Sequence, residues 1–514
     1  MRRKQEEAQK QLAEELERRR NELDEEYKKK EEELKKREEE QRQKLEVKNS
    51  QNDYPTLANY DKSKFEIEGT TLIKYIGEDT EVQIPKGVTI IGERAFEFCS
   101  SLQNIDIPDG VTSICKCAFR GCSGLQNIVI PDKVTAIGDN AFFGCRSLTS
   151  INIPNSVTSI GVGALYYCVL LQSINIPNSV TSIGDGAFSC CSNLQSINIP
   201  NSLAVIGAAF RGCSGLERIV VAEDNKVYHS KGNCLIETAT KELVCGCKNS
   251  VIPSYVTSIG DSAFSGCSNL QSINIPNGVT SIGDSAFSGC NGLTSIAIPN
   301  SVTSIGDGAF SCRSGLESIV VAADNRAYHS NGNCLIKTAT NELILGCKNS
   351  VIPNYVTTIG KYAFNDCIGL TSIDIPKSVL KIENDAFSYC INLSSIKFHK
   401  GLEKIGDRAF LNCENLINIT IPQGVKFIGA GAFGVCSKLE NTIIPDSVKE
   451  IGERAFVECT SMKKIIIPYS VTKMGEDVFI FCNLTIYCRR IVKPLGWKST
   501  WRRLCKVVWG YKGK

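Results

Sequence analysis

Histidine is nearly missing from this chain: only His229, His329 and His399 stand among 514 residues. Serine–histidine or cysteine–histidine chemistry therefore has few bases to draw on. The zinc-protease motif HExxH and the Walker A motif are absent, so neither metal-assisted hydrolysis nor P-loop phosphate binding is indicated. Cysteines never occur as paired CxxC motifs, and Cys115/Cys117 and Cys245/Cys247 lack a second pair at zinc-finger spacing. No apolar run reaches the ~18 residues that span a bilayer. The N-terminus is charged rather than apolar, so no secretory signal peptide is read and the chain is expected to stay cytoplasmic. These gaps leave no catalytic residues to nominate, and a non-enzymatic protein is expected.

What the chain has in quantity is repetition. Leu171 to Asn193, LQSINIPNSVTSIGDGAFSCCSN, recurs with substitutions from about Val82 to Phe481. Its prolines stand at Pro85, Pro108, Pro131, Pro154, Pro177 and Pro200, then Pro253, Pro276 and Pro299, then Pro353 and Pro376, then Pro422, Pro445 and Pro468, with a step of 23 within each run. A fixed period in the range of about 20–29 marks a leucine-rich-repeat solenoid, whose coils bury their apolar faces only against one another.

Within one repeat, Ile174 and Ile176 alternate inward on a short strand while Ser173 and Asn175 point away. Pro177 ends the strand and Asn178-Ser179 supply a turn. Val180 and Ile183 form a second inward arm. Gly184 permits a backbone turn, and Asp185 reads as an N-cap. Ala187, Phe188, Cys191 and Leu194 fall at i, i+1, i+4 and i+7, one face of a helix of about two turns. The expected fold is thus α/β, a right-handed solenoid of about 15 coils, each a strand, turn, short arm and short helix.

Five segments follow from the pattern. Residues 1–47 contain no Gly or Pro and are almost wholly Glu, Lys, Arg and Gln, with Leu12, Leu23, Leu34 and Leu45 spaced by 11. They read as a charged helix, either solitary or self-associating as a coiled coil. Residues 48–64 read as a linker, and 65–84 as an N-terminal cap using Leu72, Ile73, Tyr75 and Ile76. The solenoid runs over 85–488, with near-identical insertions at 221–251 and 321–351 that read as small β excursions. Residues 489–514 hold nine Lys or Arg, no acidic residue and Trp497, Trp501, Trp509 and Tyr511. They read as a basic aromatic C-terminal cap, with attraction to an anionic membrane or nucleic acid as the alternative.

The 25 cysteines include Cys99, Cys122, Cys145, Cys168 and Cys191, and Cys367, Cys390, Cys413, Cys436, Cys459 and Cys482, each run stepping by 23. That spacing predicts a ladder of buried, reduced thiols acting as small apolar residues. Arg313 interrupts it, and Cys312 is expected to turn inward there. His229 with Cys234 and Cys247, and His329 with Cys334 and Cys347, could be drawn as metal sites. Duplicated core residues explain the same facts, so no metal or cofactor is expected.

Binding is then sought on the strand face, where stacked strands at ~4.8 Å should form one long parallel sheet of about 70 Å. Its outward residues include Asn104, Asp106, Ser150, Asn152, Ser173, Asn175, Ser196, Asn198, Ser272, Asn274, Ser372 and Asp374. They can hydrogen-bond a protein partner, although as single residues each can equally serve to solvate the sheet.

The repeat IPNSVTSIGDGAFSCCSNLQSI at 176–197, the insertions with Tyr, His, Ser and Gly-Asn-Cys-Leu-Ile, and the tail PLGWKSTWRRLCKVVWGYKGK together resemble the BspA-type leucine-rich-repeat family, over roughly Phe65 to Lys514. The resemblance implies a cell-surface protein that attaches to host or extracellular-matrix proteins and to other cells by protein recognition, without catalysis. An intracellular scaffold oligomerised through residues 1–47 is the alternative.

Overall fold

The computed structural model describes residues 55–311, 314–502 and 505–513, together with Glu25, Lys29, Glu32, Lys36 and Glu40. Those five are helical and exposed, but isolated positions establish no helical domain. The coiled coil and the self-association expected of 1–47 otherwise lie outside the described residues, as does the inward turn expected of Cys312.

The described chain is a β-solenoid of about 19 turns of ~23 residues with almost no helix. Two arms of each coil are strands. The second arm, typified by Ser182–Ile183, pairs in parallel with Ser159–Ile160 before it and Val205–Ile206 after it. Such two-residue strands, together with the longer strands of the N-terminal cap and the insertions, build sheets of eight, six and nine strands. The first arm, typified by Asn104–Asp106 and Asn127–Val129, forms separate sheets of four, two, two, two and five strands.

The third arm corrects the α/β expectation. Where a short helix was expected, the amides alternate between two destinations. Ala187, Ser189 and Cys191 donate three residues back to the Gly184, Gly186 and Phe188 carbonyls at 3.2, 3.0 and 3.2 Å. Phe188 and Cys190 donate to Ala209 and Arg211 of the next coil at 2.9 and 2.7 Å. A helix would hold all of these amides within one coil through i to i−4 bonds. Consecutive tight turns instead release every second one for stacking, with φ of +64° at Gly186 and +62° at Cys190. Asp185 accordingly caps no helix: its carboxylate accepts the Ala208 amide of the next coil at 3.0 Å.

The coil count also differs from 15. The insertions each contribute a second-arm strand, Glu242–Cys245 and Glu342–Leu345, and the ends add Thr71–Tyr75 and the bridge from Met474 to Trp497. None of these turns carries the proline motif by which repeats are counted. Packing begins at Pro55: Leu57 and Tyr60 lie against the core, and Phe65–Glu68 pairs antiparallel with Thr71–Tyr75. Leu72 and Tyr75 are buried there, whereas Ile76 is exposed.

Each inward side chain packs on its own copy. Phe364, Phe387, Phe410, Phe433 and Phe456 stack with ring centroids 4.9 to 5.4 Å apart and planes within 16°. The column continues through Phe479 and ends edge-on against Trp501. Beside it runs the cysteine ladder, all of whose described members are free thiols. Its buried thiols donate to carbonyls of the preceding coil, as Cys122 does to Phe96 at 3.0 Å, Cys413 to Phe387 at 3.2 Å and Cys436 to Phe410 at 3.3 Å. Cysteine suits the position because it fills an apolar gap and still offers a weak donor. Burial pushes the Cys145, Cys191 and Cys436 thiols up to about 12.

Two outcomes follow. A Cβ on Gly346 would run into the Phe364 ring, and one on Gly246 into Phe264. Gly346→Ala should therefore lower stability by about 1–3 kcal/mol, read from the urea unfolding midpoint; an unchanged midpoint would contradict the packing. The ladder thiols are neutral when folded, with pKa values raised from the ordinary 9.0 to about 12. Their contribution is complete below pH 9 and is lost as pH rises toward 12. The midpoint should therefore fall with increasing pH across that window, and substituting Cys145, Cys191 and Cys436 by Ala should flatten the slope.

Candidate interaction surfaces

The candidate strand-face residues all point away from the core, but they do not form one field. Asn104, Asp106, Ser150 and Asn152 share the four-stranded sheet, where Asn104, Asn127 and Ser150 stand in register. Asn175 joins it only through a bridge to Asn152, and Ser173 lies beside that bridge outside any strand. Ser196 and Asn198 pair with Arg218 and Val220 on a separate two-stranded sheet. Ser272 and Asn274 are in a segment without strand structure. Ser372 and Asp374 pair with Ser395 and Lys397. Asp374 also accepts bonds from His399 at 2.7 Å and Lys397 at 3.3 Å. Burial opposes its ionisation, yet these two partners hold its carboxyl below the ordinary range. The expected single long sheet is thus replaced by five, because first-arm pairing lapses near 171–176, across the first insertion and the strandless 271–276, across the second insertion, and between Ser395–Lys397 and Asn418–Thr420.

The insertions are β excursions. Tyr228–Lys231, Cys234–Glu237 and Glu242–Cys245 form an antiparallel meander whose last strand rejoins the solenoid parallel to Ser258–Ile259. His229 Nδ1 lies 3.0 Å from the Thr238 hydroxyl and Nε2 lies 2.9 Å from the Tyr255 hydroxyl. His329 repeats this with Thr338 and Tyr355, both at 3.0 Å. Cys234 and Cys247 instead direct their sulfurs at backbone carbonyls of Gly232 and Asn233. Among the described residues no group of three or more His, Cys, Asp or Glu is placed to hold a metal ion. Gly429, Gly431 and Gly434 spell GxGxxG, but they lie in a turn arm without the helix that would face a pyrophosphate.

One open cleft of about 460 Å³ lies beside the second insertion, lined by Asp307, Lys361, Tyr362, Asp385 and Arg408 among others. Lys361 pairs with Asp307 at 2.8 Å, and Arg408 pairs with Asp385 through two contacts of 3.0 and 2.8 Å. Its charges are therefore satisfied within the cleft.

A cluster absent from the sequence-based candidates sits on the turn arms of the N-terminal coils. The Arg120 guanidinium lies 5.6 Å from the Phe98 ring centre and 5.2 Å from that of Phe143, and it bonds to Glu97 at 3.1 Å. Phe143 stacks on Tyr166 at 5.2 Å, and Tyr167 packs edge-on against both. Phe98 is 64% exposed and Tyr167 41%. The signal was an aromatic residue at positions where Gly121 and Gly144 stand in neighbouring repeats.

At the other end, Trp497 and Trp501 are buried, with Trp497 Nε1 donating to the Val471 carbonyl at 3.3 Å. They close the last coil. Among the described residues no helix is long and apolar enough to cross a membrane.

With the geometry established, comparison places the chain. The model of the BspA type leucine rich repeat region, in six copies, matches residues 74–131, 118–231, 241–356 and 357–486. A leucine-rich repeat protein from Bacteroides ovatus is 29% identical over 80% of this chain and 93% of its own, with a TM-score of 0.37. A leucine rich cell surface protein from Faecalibacterium prausnitzii is 26% identical over 88% and 98%, with a TM-score of 0.43. No curated protein matches the chain. The stacked 23-residue coils and the family match over most of their length agree: this chain belongs to the BspA-type leucine-rich-repeat family.

Proposed function

We propose that this chain is a non-enzymatic protein-binding solenoid, a cell-surface-type adhesin or interaction scaffold, and that recognition centres on its N-terminal coils. The observation that carries the reading is the ordered cluster of Phe98, Arg120, Phe143, Tyr166 and Tyr167. Aromatic and arginine side chains dominate the energetics of protein interfaces, and these are already held by one another, so little side-chain freedom remains to be lost on binding. The same coils carry Asn104, Asp106, Ser150 and Asn152 on the adjoining arm. Anchors beside a row of hydrogen-bonding groups are the arrangement of an apolar interface core with a polar rim. Membership of the family supports a protein partner, and host or extracellular-matrix proteins are the class proposed.

Phe98→Gly and Tyr167→Gly provide the test, because glycine occupies the same position in neighbouring coils and the fold should tolerate it. Partners captured by the unmodified chain should be bound about tenfold or more weakly by each variant, with melting temperature maintained. Capture that survives both changes undiminished would remove the cluster from the interface.

A further inference from the structure

The C-terminal cap offers a second surface of different chemistry. Trp497 and Trp501 are buried in closing the last coil and Trp509 packs half-buried against both, so none of the three projects from it. What projects instead is the turn Ile491 to Leu495, with Ile491 78%, Val492 68% and Leu495 106% exposed. Trp497 N–H closes this turn onto the Pro494 carbonyl at 3.2 Å. Three exposed apolar side chains thus mark one corner of the last coil.

That corner is fixed and cationic. Arg489 donates its amide to Ile467, Gly510 donates to the Arg490 carbonyl and Lys498 donates to Met474, at 3.0, 2.8 and 3.0 Å, tethering the turn at both ends. Lys493 lies within it. The nine cations from Arg489 onward face no acidic residue in the same segment, although the whole chain carries only +3. Among the described residues, Arg489, Arg490, Lys493, Lys498 and Arg502 form no ion pair with another element.

We infer that this corner docks on an anionic phospholipid surface. Aliphatic tips gain by entering the headgroup–acyl boundary while the surrounding lysines and arginines meet lipid phosphates. Nucleic acid would satisfy the cations but has no apolar phase for Ile491, Val492 and Leu495, which have no ring to stack on a base. Docking here does not depend on what the N-terminal coils bind.

The test uses the full chain with vesicles of phosphatidylglycerol and phosphatidylcholine, vesicles of phosphatidylcholine alone, and duplex DNA. Sedimentation with the anionic vesicles is expected, weak or no sedimentation with the neutral ones, and a marked loss on raising salt from about 0.1 to 0.5 M. Ile491→Asp with Leu495→Asp should weaken vesicle binding by about tenfold or more. Lys493→Gln with Lys498→Gln should weaken it by roughly thirtyfold. Both pairs are exposed, so the melting temperature should be unchanged. Failure to bind anionic vesicles, binding indifferent to the aspartates, or DNA binding in place of lipid binding would each overturn the inference.

Discussion

The structure depends on hydrogen bonds that join each coil to the next in a fixed register. Backbone amides set the pattern and side chains repeat it. Thr181 donates its amide and its hydroxyl to the Thr158 carbonyl. Ser202 donates to Val180, and the Asp139 carboxylate accepts the Val162 amide. Since each of these partners lies 22 or 23 residues away, a slip of one residue would break the backbone set and the side-chain set together. The same register brings phenylalanine onto phenylalanine and each thiol beneath its carbonyl. A coil buries little by itself; its apolar residues become core only when its neighbours are in place.

The insertions show how such a stack admits extra chain. Each meander opens a new second-arm sheet: the sheet before the first insertion ends at Val205–Ile206 and the one before the second at Ser304–Ile305, and the last strand of each meander begins the parallel pairing that follows. The turn arms meet directly across the first insertion, with the Gly212 amide on the Ser265 carbonyl at 2.8 Å. A buried asparagine closes each junction. Asn225 donates to the Pro200 and Leu203 carbonyls and accepts the Val227 and Tyr228 amides; Asn325 does the same with Pro299, Val302, Ala327 and Tyr328. One amide side chain thus fills all the principal bonding directions it has in a place where an unsatisfied group would be costly. The internal duplication preserved this solution in both copies.

The repeat, its inward residues and the family were legible because a 23-residue period is visible in the primary structure. Ile174, Ile176, Phe188, Cys191 and Leu194 are all buried, as their spacing implied. The turn arm was not legible, since i, i+1, i+4 and i+7 burial is common to a short helix and to successive turns. What separates them is the destination of the amides of Phe188 and Cys190, and those acceptors belong to another coil. Asp185 looked like a cap for the same reason. At the surface, the regular Ser and Asn rows drew attention because they recur, whereas the position held by Phe98 and Tyr167 varies from coil to coil. In the C-terminal tail the tryptophans stood out, but large rings are the side chains best able to seal a coil end. The smaller Ile491, Val492 and Leu495 were left outside.

Departures from the repeat are where function can be sought in such a molecule, and one column makes the physical case. The last turn of each coil needs a residue with positive φ: Gly121, Gly144, Gly212, Gly266 and Gly289 adopt it at +73° to +75°. Phe98, Tyr167, Tyr389 and Phe481 take the same position at about +61° to +63°, and all four rings are exposed. A bulky side chain there costs on the order of 1 kcal/mol in backbone strain. An exposed ring recovers little of that through burial, so stability alone favours glycine. The rings at Phe98 and Tyr167 also gather Arg120, Phe143 and Tyr166 around them. Cys190, Asp366, Asn412, Val435 and Glu458 take the same position at +55° to +62°, so the strain is general to the column, and what sets the N-terminal coils apart is the ordered cation and stacked aromatics beside their rings. Because outward side chains take no part in the core columns, the solenoid can vary them coil by coil without disturbing its stack.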